Sequence, residues 1–555
     1  MRRVIWLTLL LVLAANVVYA GAVDPLLQGR ADAYQGGIEN WWFTGDMGGL
    51  TTVSSWTDDT YTTLVCLQNQ GDSMIWTGMY LGSQALRYLI TGDADALSET
   101  QRIVTYMHNA MLVTQTLGYI PRYFGHDVWP WNCNNPDGSD WKVKGTGDWD
   151  GYYWVHQTSR DQYSGYWWGM TLAYEALAGQ DEEKRGWIRQ DFADIIQMLV
   201  TNSWNITDEN GQYTGNHAAW VGGVMRLAWL VQAAHVIDEQ YYWDLLDDQF
   251  DKNKIILPID TNSFFNRYDE FFGNNLRHLA FQSMFRLWPD RERLQFLYDT
   301  WQKQNRPWTK NIHNPFFDAV HITGCRRLGE CDGDELASIQ ADALNTLGRY
   351  WDPPDYIRGV TCSDQPLDPF SVWMNDFLDK YPALRQLIDV HPQTEDGREL
   401  DDRPWTDMYW QSGDVFIASC ATGDDKAQIG AGFDYLVAYW MGVYYATLPG
   451  DGPYGDDDPT DDDTMVDDDT IDDDTIDDDT VDDDAVDDDA VDDDAVDDDA
   501  VDDDAVDDDA VDDDAVDDDA IDDDQADDDS VDDDLTDDDS GHHDSGDDDN
   551  SGCGC

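Results

Sequence analysis

Residues 162–179 read Gln-Tyr-Ser-Gly-Tyr-Trp-Trp-Gly-Met-Thr-Leu-Ala-Tyr-Glu-Ala-Leu-Ala-Gly, and residues 181–202 follow as Asp-Glu-Glu-Lys-Arg-Gly-Trp-Ile-Arg-Gln-Asp-Phe-Ala-Asp-Ile-Ile-Gln-Met-Leu-Val-Thr-Asn. The first stretch is apolar nearly all round and rich in glycine and aromatics, as a helix buried on every side must be. The second keeps a charged face, as a helix against solvent does. The pair reads as an αα-hairpin with an inner and an outer helix.

The same plan recurs in both directions from this pair. Asp72 to Thr91 and Ala94 to Thr116 form one such unit, turning at Gly92-Asp93. Asn216 to His235 precedes a shorter amphipathic piece around Tyr241 to Phe250, and Asp269 to Trp288 precedes Asp290 to Gln304. A further unit runs from Asn314 to Gly324 and Asp334 to Tyr350, and a last apolar helix, Gly432 to Thr447, closes the series. Segments of period-2 alternation are scarce, so the expected fold is all-α: an (α/α)6 toroid of helical hairpins with long aromatic loops and a disordered acidic tail.

The expected domain order is a signal peptide at 1–20, a lead-in at 21–56, the toroid at 57–450 and the tail at 451–555. Met1-Arg2-Arg3, an apolar run to Val18 and a small-residue end at Ala20 make the three-part pattern of an export signal. The run is shorter than the ~20 residues a bilayer span needs. The protein is therefore expected to be secreted or held at the cell surface, with no direct membrane insertion.

The net charge of −83 is unevenly distributed: residues 451–555 hold 56 aspartates and neither Lys nor Arg, so the rest of the chain carries −27. An acidic body of that kind excludes nucleic acid as a partner, because phosphate needs clustered Lys and Arg. The tail repeats Val-Asp-Asp-Asp-Ala with variants. It has too little apolar surface to offset chain entropy and repels itself, so it reads as a solubilising spacer. It lacks the spaced ligands and turn glycine of a calcium loop. Six cysteines lie in the body (Cys66, Cys133, Cys325, Cys331, Cys362, Cys420), and Cys325 with Cys331 is the expected local disulfide. No Cys or His spacing suits zinc, and no phosphate loop or nucleophile elbow is present, so neither metal nor cofactor is expected.

The runs from Asp72 to Gly82 and from Arg160 to Met170 resemble the starts of inner helices in six-hairpin glycosidases, and among these the unsaturated glucuronyl hydrolases. The resemblance implies a carbohydrate-active hydrolase with an oligo- or polysaccharide substrate. It also implies a catalytic Asp at position 161, at the opening of an inner helix before a Gly-aromatic run. Asp72 occupies the equivalent place one hairpin earlier, and glycosidic cleavage needs two carboxyls, one to protonate the leaving oxygen and one to activate water or attack. Each has a plainer reading as a helix N-cap. The terminal Ser551-Gly-Cys-Gly-Cys resembles part of the C-terminal surface-sorting signals of myxobacteria-like proteins, without their apolar helix and basic end, and suggests surface attachment through the tail.

Around the Asp pair, Arg160, Gln162, Trp76 and Trp167 are expected to touch substrate. The loop from Gly118 to Ser159 is too aromatic to be disordered, and Trp129, Trp131 and Trp154 in it suit sugar stacking; a self-packed lid is the alternative. Trp410 stands in the loop before the closing helix. Asn275, Arg277, His278 and His313 supply the residue types of a uronate lyase, in which Asn or Arg neutralises a carboxylate and His removes the α-proton. A non-catalytic glycan-binding protein is the third reading.

Overall fold

The computed structural model describes residues 24–41, 49–50, 53–68, 70–126, 142–214, 221–268, 272–386, 388, 390–404 and 415–448. The expected signal peptide, the acidic tail, Cys133, Trp129, Trp131 and Trp410 lie outside them.

The twelve long helices of the ring are α1 (Pro25–Trp41), α2 (Ser73–Thr91), α3 (Ala94–Leu112), α4 (Arg160–Ala176), α5 (Glu182–Thr201), α6 (Gly223–Ile237), α7 (Gln240–Asn253), α8 (Phe272–Leu287), α9 (Arg291–Gln304), α10 (Pro315–Leu328), α11 (Gly333–Arg349) and α12 (Phe433–Tyr444). Helices α2, α4, α6, α8, α10 and α12 pack each against the next, and α12 packs back on α2, so six inner helices close a ring. Their partners α3, α5, α7, α9 and α11 lie outside. The fold is an (α/α)6 toroid.

The sixth outer helix comes from the other end of the chain. Helix α1 packs on α12: Tyr34 stacks on Tyr435 with ring centroids 5.1 Å apart, and the Tyr435 hydroxyl donates to the Leu27 carbonyl at 2.8 Å. Gln35 donates to the Tyr80 hydroxyl on α2, and Gln84 on α2 donates back to Gln35, both at 2.8 Å. A segment expected to be only a lead-in therefore completes the ring.

Local chemistry separates the two layers. Outer helices α3, α5, α9 and α11 start on an Asp whose carboxylate accepts backbone N–H groups: Asp93 from Asp95, Asp181 from Lys184, Asp290 from Arg293 and Asp332 from Asp334 and Glu335. The tight turns before two of them use Gly92 and Gly329, with φ +65° and +66°, where a side chain would be strained. Inner helices α2, α4, α6 and α12 start with no side-chain cap bond. Their open N–H groups and positive dipole ends are left for other partners.

Adjacent inner helices run parallel, and α2 and α4 touch through their backbones. A Cβ on Gly78 would lie 2.1 Å from the Gly165 carbonyl oxygen, one on Gly165 2.5 Å from Ile75 Cα, and one on Gly169 2.1 Å from the Gly78 oxygen. Below this contact the interior is filled. Trp168 donates to Gln282 at 2.9 Å, and Gln282 donates to the Tyr445 hydroxyl at 2.8 Å. At the C-terminal ends, Glu175 of α4 accepts both Arg286 bonds from α8 at 2.6 Å and sits 2.8 Å from His235 of α6. Burial alone would raise the Glu175 carboxyl, but Arg286 and His235 bring it down to about 2.

Two small antiparallel sheets, not expected from the sequence, complete the body. Strands β1 (Val53–Trp56), β2 (Leu64–Gln68), β6 (Asp355–Ile357) and β7 (Asp425–Gly430) form one in the order β2-β1-β7-β6; β3 (Tyr123–His126), β4 (Lys142–Lys144) and β5 (Tyr152–Val155) form the other in the order β3-β5-β4. The expected Cys325–Cys331 disulfide is present, and Cys362–Cys420 is a second.

The glycine contact predicts that Gly165→Ala, which forces two backbones apart, costs about 1–3 kcal/mol or more. Thermal unfolding checks it, and a melting temperature equal to that of the parent would show that the helices have room to separate.

Candidate active site

The parallel contact of α2 and α4 places the starts of both helices side by side, and with them Asp72 and Asp161. Asp72 occupies the residue before α2 but does not cap it: its φ/ψ of −116°/15° lies outside the extended region of a capping residue, and its carboxylate accepts none of the first N–H groups. Asp161 lies in the first turn of α4, one residue inside the helix, whose N-cap position is Ser159. The plainer reading as an N-cap therefore does not describe Asp72, while the Asp161 carboxylate accepts its own first-turn N–H from one residue inside α4.

Asp72 is held by two neighbours. Arg122 donates to its Oδ1 at 3.3 Å and to the Gly71 carbonyl at 2.6 Å, and Gln162 donates to the same two acceptors at 3.2 and 3.1 Å. Asp72 keeps 24% of its side chain accessible, and Asp161 is half-buried. Burial raises the Asp72 carboxyl, while Arg122 and Gln162 pull it back toward ionisation. Burial also raises Asp161, the adjacent Asp72 charge adds to it, and Arg160 and Arg122 offset only part, leaving it at about 6. Both carboxyls are raised by burial, Asp161 to about 6 because the Asp72 charge adds to it, and Asp72 with Arg122 and Gln162 acting against the shift; such an inequality is what acid–base pairs use.

Arg122 was not among the residues singled out from the sequence. It lies on the loop before β3 and is 5% exposed, its N–H donating to Val155 and its carbonyl accepting from Met74, so it braces the sheet against α2. A lone arginine in an aromatic loop carries no spacing signal that marks this role.

Several expected substrate contacts are core instead. Trp76 is fully buried against Phe433 of the closing helix, and Trp167 is fully buried against Phe192 and Trp229. Trp154, on β5, packs edge-on to Tyr119 with only 3% exposed. None has a face to offer a sugar. Gln162 is likewise fully buried and bonds only to protein. Arg160 remains half-buried beside Asp161.

The lyase constellation does not assemble. His278 is fully buried, stacked on Phe317 with centroids 3.3 Å apart, and its Nδ1 donates to the Asn274 carbonyl at 2.7 Å. Burial drives it down to about 3, so it is a neutral interior group without access to substrate. Asn275 is buried beside it. Arg277 is spent on the loops before α8, donating to the Asp260 carbonyl at 2.8 Å and to Asn266. His313 pairs with Asp342 of α11 at 2.6 Å and ties the fifth hairpin together. In the aromatic loop Tyr152 stacks on His126 at 4.1 Å and on Phe124 at 5.4 Å, so the described part of the loop packs largely on itself.

No protein-family model matches the chain, and no curated protein does. Among solved structures it is similar to the cellulase Cel9M of C. cellulolyticum, with a TM-score of 0.36 and 13% identity over 68% of this chain and 87% of that one. It is also similar to a GH9 protein of Bacteroides ovatus, with a TM-score of 0.41 and 11% identity over 77% and 84%. Endoglucanase CelQ from Clostridium thermocellum, complexed with cellotriose, gives 0.37 and 11% over 75% and 70%. The overlaps are loose, and the toroid stands on the closed ring of helices within this chain.

One buried carboxyl near His313 makes a stability prediction. Asp318, in the first turn of α10, is raised well above the ordinary range by burial and then by Asp342, against Arg306 and His313. A carboxyl raised in the folded state favours folding while protonated and opposes it as pH rises above the unfolded value near about 4. Asp318→Asn is expected to melt at or above the parent temperature at neutral pH and to show a flatter dependence above pH ~4. Melting curves across pH test this, and a variant several degrees less stable at pH 7 would contradict it.

Proposed function

We propose that the chain is a carbohydrate-active enzyme that hydrolyses a glycosidic or unsaturated uronyl linkage at the mouth of its toroid. Asp161 protonates the leaving oxygen, and Asp72, ionised, activates water or attacks. The observation that carries this reading is the meeting of two partly accessible carboxyls, both raised by burial, Asp161 to about 6 under the added charge of Asp72, and Asp72 with Arg122 and Gln162 acting against the shift. Arg160, whose charge acts on both Asp161 and Arg277, suits a substrate bearing a carboxylate. Trp129, Trp131 and Trp410 are proposed as stacking platforms. Export by residues 1–20 and surface attachment through the tail belong to the same proposal, since a polymeric substrate has to be met outside the cell.

The pH dependence follows from the two groups. Asp161 must be protonated to act as acid, so turnover falls as pH rises through about 6. Asp72 must be ionised, so turnover also falls as pH drops through its own range, giving a bell with an acidic optimum. Reducing-end release from neutral and acidic polysaccharides, followed across pH, reads both limbs. Asp161→Asn is expected to lose roughly 10²–10⁴-fold in kcat while keeping its melting temperature. Equal turnover by the variant would remove Asp161 from the mechanism. Products absorbing in the ultraviolet would indicate elimination, and glycan binding without turnover would leave a binding protein.

A further inference from the structure

We infer that Gln162 is a positioning residue that acts through Asp72, freeing its carboxylate for chemistry by capping α2 in its place; this rests on the hydrolase reading above. An aspartate just before a helix ordinarily folds back onto the N–H groups of the first turn, which uses up its acceptor capacity and aims it along the helix axis. Asp72 makes no such bond. The acceptor comes instead from the next inner helix: Gln162 Oε1 takes the Met74 N–H at 3.1 Å, shared with the Arg122 carbonyl, and the Ile75 N–H at 3.2 Å. The same amide then turns its Nε2 to the Gly71 carbonyl at 3.1 Å and to Asp72 Oδ1 at 3.2 Å, with Ser159 Oγ at 3.4 Å.

One fully buried side chain therefore does two things at once. Its oxygen satisfies donors that Asp72 would otherwise cover, and its N–H groups hold Asp72 by one oxygen. Because Arg122 and Gln162 both bond Oδ1, Oδ2 has no hydrogen-bond partner among the described residues and is left for water or substrate. Only an amide of this length fits the task. A carboxylate in its place would supply the acceptor but repel Asp72, and a thioether would supply neither bond. Gln162 is buried away from substrate, so its influence is expected in turnover and its pH dependence rather than in binding.

The experiment compares full-length protein with Gln162→Glu, Gln162→Met and Asp161→Asn by reducing-end release from the same polysaccharide panel across pH, with melting temperatures alongside. Gln162→Glu retains an oxygen for the Met74 and Ile75 N–H groups and is expected to stay folded. Its kcat falls roughly tenfold or more with KM little changed, and its acid limb moves up by about one pH unit because Asp72 is harder to ionise. Gln162→Met, with Arg122 still in place, moves the same limb in the same direction. Acid limbs unmoved in both variants, with kcat changing only as the melting temperature does, would overturn the positioning role and leave a structural clamp. Parent protein inactive on the panel, or Asp161→Asn as active as the parent, would overturn the hydrolase reading and this inference with it. Asp161→Asn inactive with the limb unmoved in the Gln162 variants would overturn this inference alone.

Discussion

The backbone contact between α2 and α4 is the constraint on which the rest depends. Gly78, Gly165 and Gly169 bring two helices together with no side chains between them, and only at that separation can Gln162 of one helix reach the first N–H groups of the other. Parallel inner helices then present their starting residues at one end of the ring, so residues 90 positions apart in sequence share a single environment. The ring itself is closed at long range. Helix α1 packs on α12 and hydrogen bonds to α2, while β1 pairs with β7 from Val53 opposite Gly430, so both ends of the body hold the mouth in shape.

The division of capping between layers has an electrostatic consequence. Outer helices α3, α5, α9 and α11 are finished locally by aspartates in their own turns. The inner helices α2 and α6 are finished by other parts of the fold, Gln162 and Asp260 taking first-turn N–H groups, and parallel packing gathers their dipole ends where Asp72 and Asp161 lie. The two carboxyls differ in what surrounds them rather than in what they are. Asp72 has an arginine and an amide on one oxygen; Asp161 has burial and a neighbouring negative charge, with Arg160, Arg122 and its own backbone N–H set against them. At the opposite end the Glu175, Arg286 and His235 cluster ties three inner helices, keeping charge inside the ring compensated.

Much of this was legible in the residues. Apolar first helices, charged second helices and Gly-Asp turns between them mark five hairpins, and the observed limits differ from the expected ones by a few residues, most at the start of α6 and the ends of α3 and α10. Helix α1 escaped because it carries Gly29, Gly36 and Gly37, shows little periodicity and packs on a helix some 400 residues later. The strands escaped because they are three to six residues long and set by pairing rather than by pattern. Asp72 and Asp161 were visible as acids opening Gly-aromatic helices. Trp76 and Trp167 were misjudged for the same reason their helices were recognised: a helix apolar all round does not say which of its aromatics faces a cavity and which a neighbour. Gln162 and Arg122 depend on side-chain bonds across dozens of residues, for which a single sequence has no periodicity to offer.

The most direct test of the central claim is a crystal structure of the full-length Asp161→Asn variant with a bound oligosaccharide drawn from a polysaccharide the parent degrades. The account predicts a glycosidic oxygen within hydrogen-bond distance of residue 161, with the Asp72 carboxylate on the other side of the same linkage and Gln162 still bridging α2 and α4. A sugar chain seated away from both carboxyls, with α2 and α4 unchanged, would contradict it.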